Sequence, residues 1–144
     1  MFQSRNWEPF KIDGEQYLVI ASFQDNSVCP IYKWNSKQFV KFKGLPCSRA
    51  FDVEPFELNG AQHVAVANFD EDRGKPVVVF KWDGSGFTEL QKFDITAQYV
   101  EVFKVNDDTY LGISGWWRSF SIFTARVTHA KTPQSCYSLL LLQV

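Results

Sequence analysis

Three glutamates open three similar stretches of the chain: Glu8 in Asn6-Trp7-Glu8-Pro9-Phe10, Glu54 in Asp52-Val53-Glu54-Pro55-Phe56, and Glu101 in Tyr99-Val100-Glu101-Val102-Phe103. Two residues before them stand Asn6, Asp52 and Tyr99. Residues two apart on an extended strand face the same way, so Asn6/Glu8 and Asp52/Glu54 each project two polar groups from one side of a strand. Carboxylates gathered in this way repel unless a hard cation such as Ca2+ lies between them. The alternative is that they accept hydrogen bonds from a neighbouring backbone. Asp52 and Glu54 are the leading candidates for a metal site, Asn6 and Glu8 the weaker ones, and Tyr99 breaks the pattern beside Glu101.

Other chemistry is thin. His63 lies in an apolar stretch and reads as a packed histidine; His129 falls in a divergent tail, and no Ser-His-Asp or Cys-His arrangement is supported by spacing. Cys29, Cys47 and Cys136 make an odd number, so at least one thiol is unpaired within the chain. A Cys29–Cys47 pair is open on position, and no cysteine has the spacing of a structural zinc site. Asp70-Glu71-Asp72-Arg73-Gly74 has the composition of a calcium loop but not its 12-residue register. Gly84-Ser85-Gly86 sits in a hairpin rather than before a helix, so it does not indicate phosphate binding. Trp34 and Trp82 read as packing between structural units.

These residues must be positioned by elements that repeat. Phe10, Phe56 and Phe103 recur 46 and 47 residues apart. Each is followed by a turn pair, Asp13-Gly14, Asn59-Gly60 or Asn106-Asp107, and then by an apolar run that begins at Tyr17, His63 or Tyr110. Ile31-Tyr32-Lys33-Trp34-Asn35 returns 48 residues later as Val79-Phe80-Lys81-Trp82-Asp83, and Phe39-Val40-Lys41-Phe42 as Phe87-Thr88-Glu89-Leu90. Every segment has strand character, and no stretch shows a sustained helical period. Four antiparallel strands in about 47 residues make one blade of a β-propeller. The expectation is therefore all-β: a partial β-propeller of about two and a half four-stranded antiparallel blades. Repeats span 1–114 (about 7–52, 53–99 and a partial 100–114), and a divergent tail covers 115–144.

Composition narrows the function. With 15 Lys+Arg against 16 Asp+Glu, the 144-residue chain has a net charge of −1, so it lacks the cationic field that nucleic acid requires. Aromatic residues at 17% argue against disorder. Met1-Phe2-Gln3-Ser4-Arg5 has no apolar signal-peptide core, and the longest apolar run, Leu139 to Leu142, is far too short to span a bilayer.

The ordered set of (Asp/Asn)-x-Glu-x-Phe, then Tyr-Leu-x-x-Ala-(Ser/Asn), then Ile-Tyr-Lys-Trp-Asn, then Phe resembles the epilepsy-associated repeat, also called EPTP. The matching residues are Asn6 to Phe10, Asp52 to Phe56, Tyr17 to Ser22 and Ile31 to Asn35, and the resemblance covers about residues 1 to 114. The family includes the leucine-rich glioma-inactivated proteins and a thrombospondin-type laminin G protein carrying these repeats. The resemblance implies a propeller of seven blades, a secreted or cell-surface parent protein, and binding of a protein partner such as a cell-surface receptor without catalysis. It also implies a channel whose inner-strand carboxylates can hold calcium, landing first on Asp52 and Glu54. Two departures stand out: Arg126-Val127-Thr128-His129-Ala130 stands where a third Tyr-Lys-Trp-Asn is due, and the repeat is lost after Gly115.

The leading functional expectation is a non-catalytic interaction module. The alternatives are a propeller-class enzyme acting on a sugar through channel carboxylates, or a truncated product without function. Blades bury their faces only against neighbours, so the chain is expected to self-associate unless further blades are supplied.

Overall fold

The computed structural model describes residues 3–69, 76–115, 120–127 and 137–142. Twelve strands run in chain order: β1 (Ser4–Ile12), β2 (Glu15–Ser22), β3 (Ser27–Trp34), β4 (Phe39–Cys47), β5 (Ala50–Leu58), β6 (Ala61–Asn68), β7 (Val77–Trp82), β8 (Phe87–Phe93), β9 (Tyr99–Val105), β10 (Asp108–Ser114), β11 (Phe120–Val127) and β12 (Tyr137–Leu142). They form three four-stranded antiparallel meanders, β1-β2-β3-β4, β5-β6-β7-β8 and β9-β10-β11-β12. No helix occurs among the described residues. The expected all-β partial propeller is what the chain forms.

Local chemistry accounts for the hairpins. Asp13 and Gly14 (φ 51° and 79°) and Asn59 and Gly60 (φ 51° and 76°) occupy the left-handed region that a two-residue hairpin turn demands. The third such turn uses Asn106 at φ 55°. In every blade the two strands so joined place a stacked ring pair opposite each other. Phe10 lies on Tyr17 (5.5 Å), Phe56 on His63 (5.1 Å) and Phe103 on Tyr110 (5.4 Å). His63 is thus a packed histidine: it is buried, its Nδ1 lies 2.9 Å from the Ala61 carbonyl, and burial lowers its pKa.

Strand alternation sends successive side chains into different interblade cores. Phe10, Ile12, Tyr17, Val19 and Ile31 of blade 1 meet Val53, Val64, Val66, Val78 and Phe80 of blade 2. The intervening residues of blade 2, Ala65, Ala67, Val77 and Val79, meet Val100, Leu111 and Ile113 of blade 3. Blade 2 is apolar on both faces because both are covered.

The structure departs from the sequence reading in two places. The third sheet continues past residue 114: β11 and β12 complete it although their sequence has left the repeat pattern. Pairing to β10 needs only extended backbone, which β11 offers without the Tyr-Lys-Trp-Asn signature. Trp34, expected between blades, is 42% exposed and touches Phe39 of its own sheet. Its counterpart Trp82 does bridge blades, reaching Phe42 of blade 1. The Asp70 to Gly74 loop, His129 and Cys136 lie outside the described residues.

Candidate functional site: the inner-strand carboxylates

Each blade begins with the strand that carries the carboxylates. In blades 1 and 2 that strand contains a bulge, between Ser4 and Trp7 in β1 and between Ala50 and Asp52 in β5. A bulge bends the strand and re-aims the side chains beside it, here Asn6 and Asp52. In blade 3 the pairing from Tyr99 onward is regular, with Tyr99 opposite Ser114. Blade 3 pairing thus begins at the position that follows the bulge in blade 2, where Asp52 lies opposite Ala67.

The four sequence candidates come together along one column. Asn6 Nδ2 donates to Asp52 Oδ1 across the boundary between blades 1 and 2, and lies 3.5 Å from Glu8 Oε1. Asp52 is buried, and its carboxylate accepts from three donors. Oδ1 takes Asn6 and the Val53 amide at 3.0 Å; Oδ2 takes the Val100 amide of blade 3 at 3.0 Å. Glu54 Oε1 accepts from the Val102 amide of blade 3 at 3.4 Å. Asp52 and Glu54 thus both accept hydrogen bonds from the backbone of the neighbouring blade. Their partners are amides on the free inner edge of β9, which the sheet itself leaves unpaired.

Electrostatics follow from this crowding. Burial pushes the Glu54 carboxyl up to about 7; the Val102 amide opposes the shift, while the charges of Glu101, Glu8 and Asp52 add to it. Asp52 is also raised, chiefly by burial, against the lowering effect of its three donors.

Calcium needs six to eight oxygen ligands. Among the described residues, no group of three or more His, Cys, Asp and Glu side chains is placed to hold a metal ion. Asp52 has both oxygens committed to hydrogen bonds, and Glu54 one.

A second cluster escaped the sequence reading. At the end where β2 passes to β3 and β4 to β5, Phe51 makes edge contacts with Phe23 (4.9 Å) and Phe69 (5.0 Å). The Arg5 guanidinium sits 4.4 Å from Phe23 and 5.1 Å from Phe51, and that of Arg49 4.9 Å from Phe23 and 5.7 Å from Phe69. Each arrangement is a cation–π contact. Phe23 and Phe69 follow Ser22 and Asn68 at the repeat spacing, which was the available signal. Arg5 and Phe51 belong to the bulge stretches, which no sequence period reveals.

The thiols of Cys29 and Cys47 are buried and free, with Cys47 Sγ 3.4 Å from Ser27 Oγ. A hydrogen bond with Cys47, together with burial, raises the Cys29 pKa.

No curated protein matches the chain. The EPTP domain family model matches residues 1–35 and 38–83. The first match covers β1 to β3. The second runs from β4 through β7, so the family unit is out of phase with the blade by one strand and ties adjacent blades covalently. With more than half of its length matched and its sheets arranged as propeller blades, the chain belongs to the EPTP domain family.

Proposed function

We propose that the chain is a non-catalytic protein-interaction module of a secreted or cell-surface propeller protein, presenting its loops and blade ends to a protein partner such as a receptor. The observation that supports this most directly is the use made of its carboxylates. Asp52 and Glu54 join blade 2 to blade 3 through the Val100 and Val102 amides, so they serve architecture rather than a reacting substrate. Membership of a non-enzymatic repeat family supports the same reading. A calcium ion in this column would need further oxygen donors from further blades.

Capture from membrane extracts tests the proposal. The immobilised chain should retain a specific surface protein, and recovery of none would count against it.

One observation favours the glycosidase reading: the Glu54 carboxyl, raised to about 7, is where a general acid would stand. Under that reading, Asp52→Ala and Glu54→Ala abolish hydrolysis of a glycoside panel. Under the binding reading there is no hydrolysis to abolish, and the two changes only lower thermal stability.

A further inference from the structure

Blade 1 carries two thiols where blade 2 carries hydrocarbon. Cys29 stands in β3 opposite Leu45, and Cys47 ends β4 opposite Ser27. Strand alternation puts Cys29 and Cys47 on one face, so they are diagonal neighbours across the β3–β4 ladder. Both belong to the core between blades 1 and 2, with Cys29 fully buried and Cys47 nearly so. The residues 48 positions later are Val77 and Ile95, which pack into the core between blades 2 and 3. A cysteine can serve as a small apolar side chain, and one such exchange would be ordinary packing. Here both members of a neighbouring pair are exchanged together.

The two sulfurs also interact. The Cys29 thiol shares a hydrogen bond with Cys47, and this bond acts oppositely on the two groups. It raises the Cys29 pKa, with burial adding to the effect, and lowers that of Cys47 against the opposing effect of burial. Ser27 Oγ, 3.4 Å from Cys47 Sγ, lowers it further. Cys47 is therefore the sulfur that ionises first. It is also the one that can be reached. Strand β4 pairs only with β3, so release of its last residues exposes Cys47 while Cys29 stays covered.

We infer that Cys29 and Cys47 form a dithiol site that closes to a disulfide, stapling the edge strand β4 to β3 within blade 1. The oxidant is a second disulfide, of the glutathione type. Cys47, having released its proton, attacks one sulfur of that disulfide. The S–S bond breaks, and one glutathione leaves as a thiolate that takes up a proton. Cys29 then gives up its proton, and its sulfur attacks Cys47 Sγ of the mixed disulfide, releasing the second glutathione. Two protein thiols are oxidised by two electrons in all, and one disulfide is reduced to two thiols. The new bond constrains the unfolded chain and holds down a strand whose far edge is unpaired. This inference rests on the sulfur pair and is independent of the receptor-binding proposal.

The test equilibrates the reduced 144-residue chain in an equimolar mixture of reduced and oxidised glutathione. Remaining thiols are blocked with N-ethylmaleimide, and the chain is digested with trypsin without reduction. Cleavage after Lys and Arg leaves Cys29, Cys47 and Cys136 in separate peptides, 12–33, 44–49 and 132–144. Mass spectrometry should find peptides 12–33 and 44–49 joined, lighter than their sum by two hydrogens. In urea denaturation, the unfolding constant of the oxidised chain should be lowered about a hundredfold relative to the reduced chain. Cys29→Val, which installs the blade 2 residue, and Cys47→Ser should each abolish the joined peptide and make stability independent of the glutathione mixture. Their cooperative unfolding also shows that they are folded. Recovery of 12–33 and 44–49 as separate maleimide or glutathione adducts would overturn the inference. So would joining of either peptide to 132–144 instead, a joined chain no more stable than the reduced one, or an oxidant-dependent gain in stability that survives in Cys29→Val.

Discussion

The junctions on the two sides of blade 2 are built from the same repeat positions and held differently. Toward blade 3, Asp52 and Glu54 accept from the Val100 and Val102 amides. Toward blade 1, the residues corresponding to those amides are Val53, whose N–H is already taken by Asp52, and Pro55, which has none. Glu8 therefore has no backbone donor to match the one Glu54 finds, and the polar link across this junction is Asn6 to Asp52. Compensation comes from larger side chains: Phe10 meets Phe87, and Phe42 meets Trp82. Toward blade 3, smaller residues such as Ala65 and Ala67 line the core. One junction relies mainly on aromatic area and the other adds charge-assisted hydrogen bonds. A repeat can vary its means of adhesion while keeping its geometry.

The largest expected effect tests the aromatic side. Phe80→Ala, deep between blades 1 and 2, should lower unfolding free energy by about 3–5 kcal/mol, measured by urea denaturation. Leu111→Ala, in the core between blades 2 and 3, should cost about 2–5 kcal/mol. A Phe80→Ala loss below that of Leu111→Ala would undo the contrast.

Asp52→Ala comes next, because it strips acceptors from the Val53 and Val100 amides and from Asn6. A loss of about 1–3 kcal/mol is expected for buried donors left unpaired. Hydrogen exchange should quicken at Val53 and Val100 while the Val64 and Val66 amides of β6 stay protected.

The charged junction should also respond to pH. Glu54 binds its proton more tightly in the folded chain than in the unfolded one, since its pKa is raised from 4.5 to about 7. Its contribution is thus most favourable below the unfolded value and is lost as pH rises through the folded one. The melting temperature should fall between about pH 5 and about pH 7.5, and Glu54→Gln should flatten that slope. An unchanged slope in the variant would assign the titration elsewhere, with the raised Asp52 next in line.

Arg5→Ala should have the smallest effect. It removes cation–π contacts to Phe23 and Phe51 at an exposed site, worth about 0.5–1 kcal/mol. A larger loss in thermal denaturation would mean that the guanidinium cluster braces the blade 1–blade 2 boundary more than its exposure suggests.

Much of this was legible in the chain itself. The 46–47-residue spacing, the Asp-Gly and Asn-Gly turns and the alternating apolar runs lead directly to two four-stranded antiparallel units and the opening of a third, since hairpin turns and strand alternation are local properties. So does the gathering of Asn6, Glu8, Asp52 and Glu54, which follows from equivalent positions on equivalent strands. The tail was illegible for the opposite reason: β11 and β12 join the third sheet through backbone pairing, which asks little of side-chain identity.

What the sequence determined by itself, then, is the blade and its internal order, because those depend on neighbours a few residues away. What only the tertiary structure decided is the use of each repeated position, because that depends on the blade next door. Glu54 accepts from the Val102 amide, whereas the residue of blade 2 that corresponds to Val102 is Pro55, which has no N–H to offer Glu8. Trp82 is packed where Trp34 stands exposed. Identical spacing sets identical places, and the partner across each junction sets what those places do.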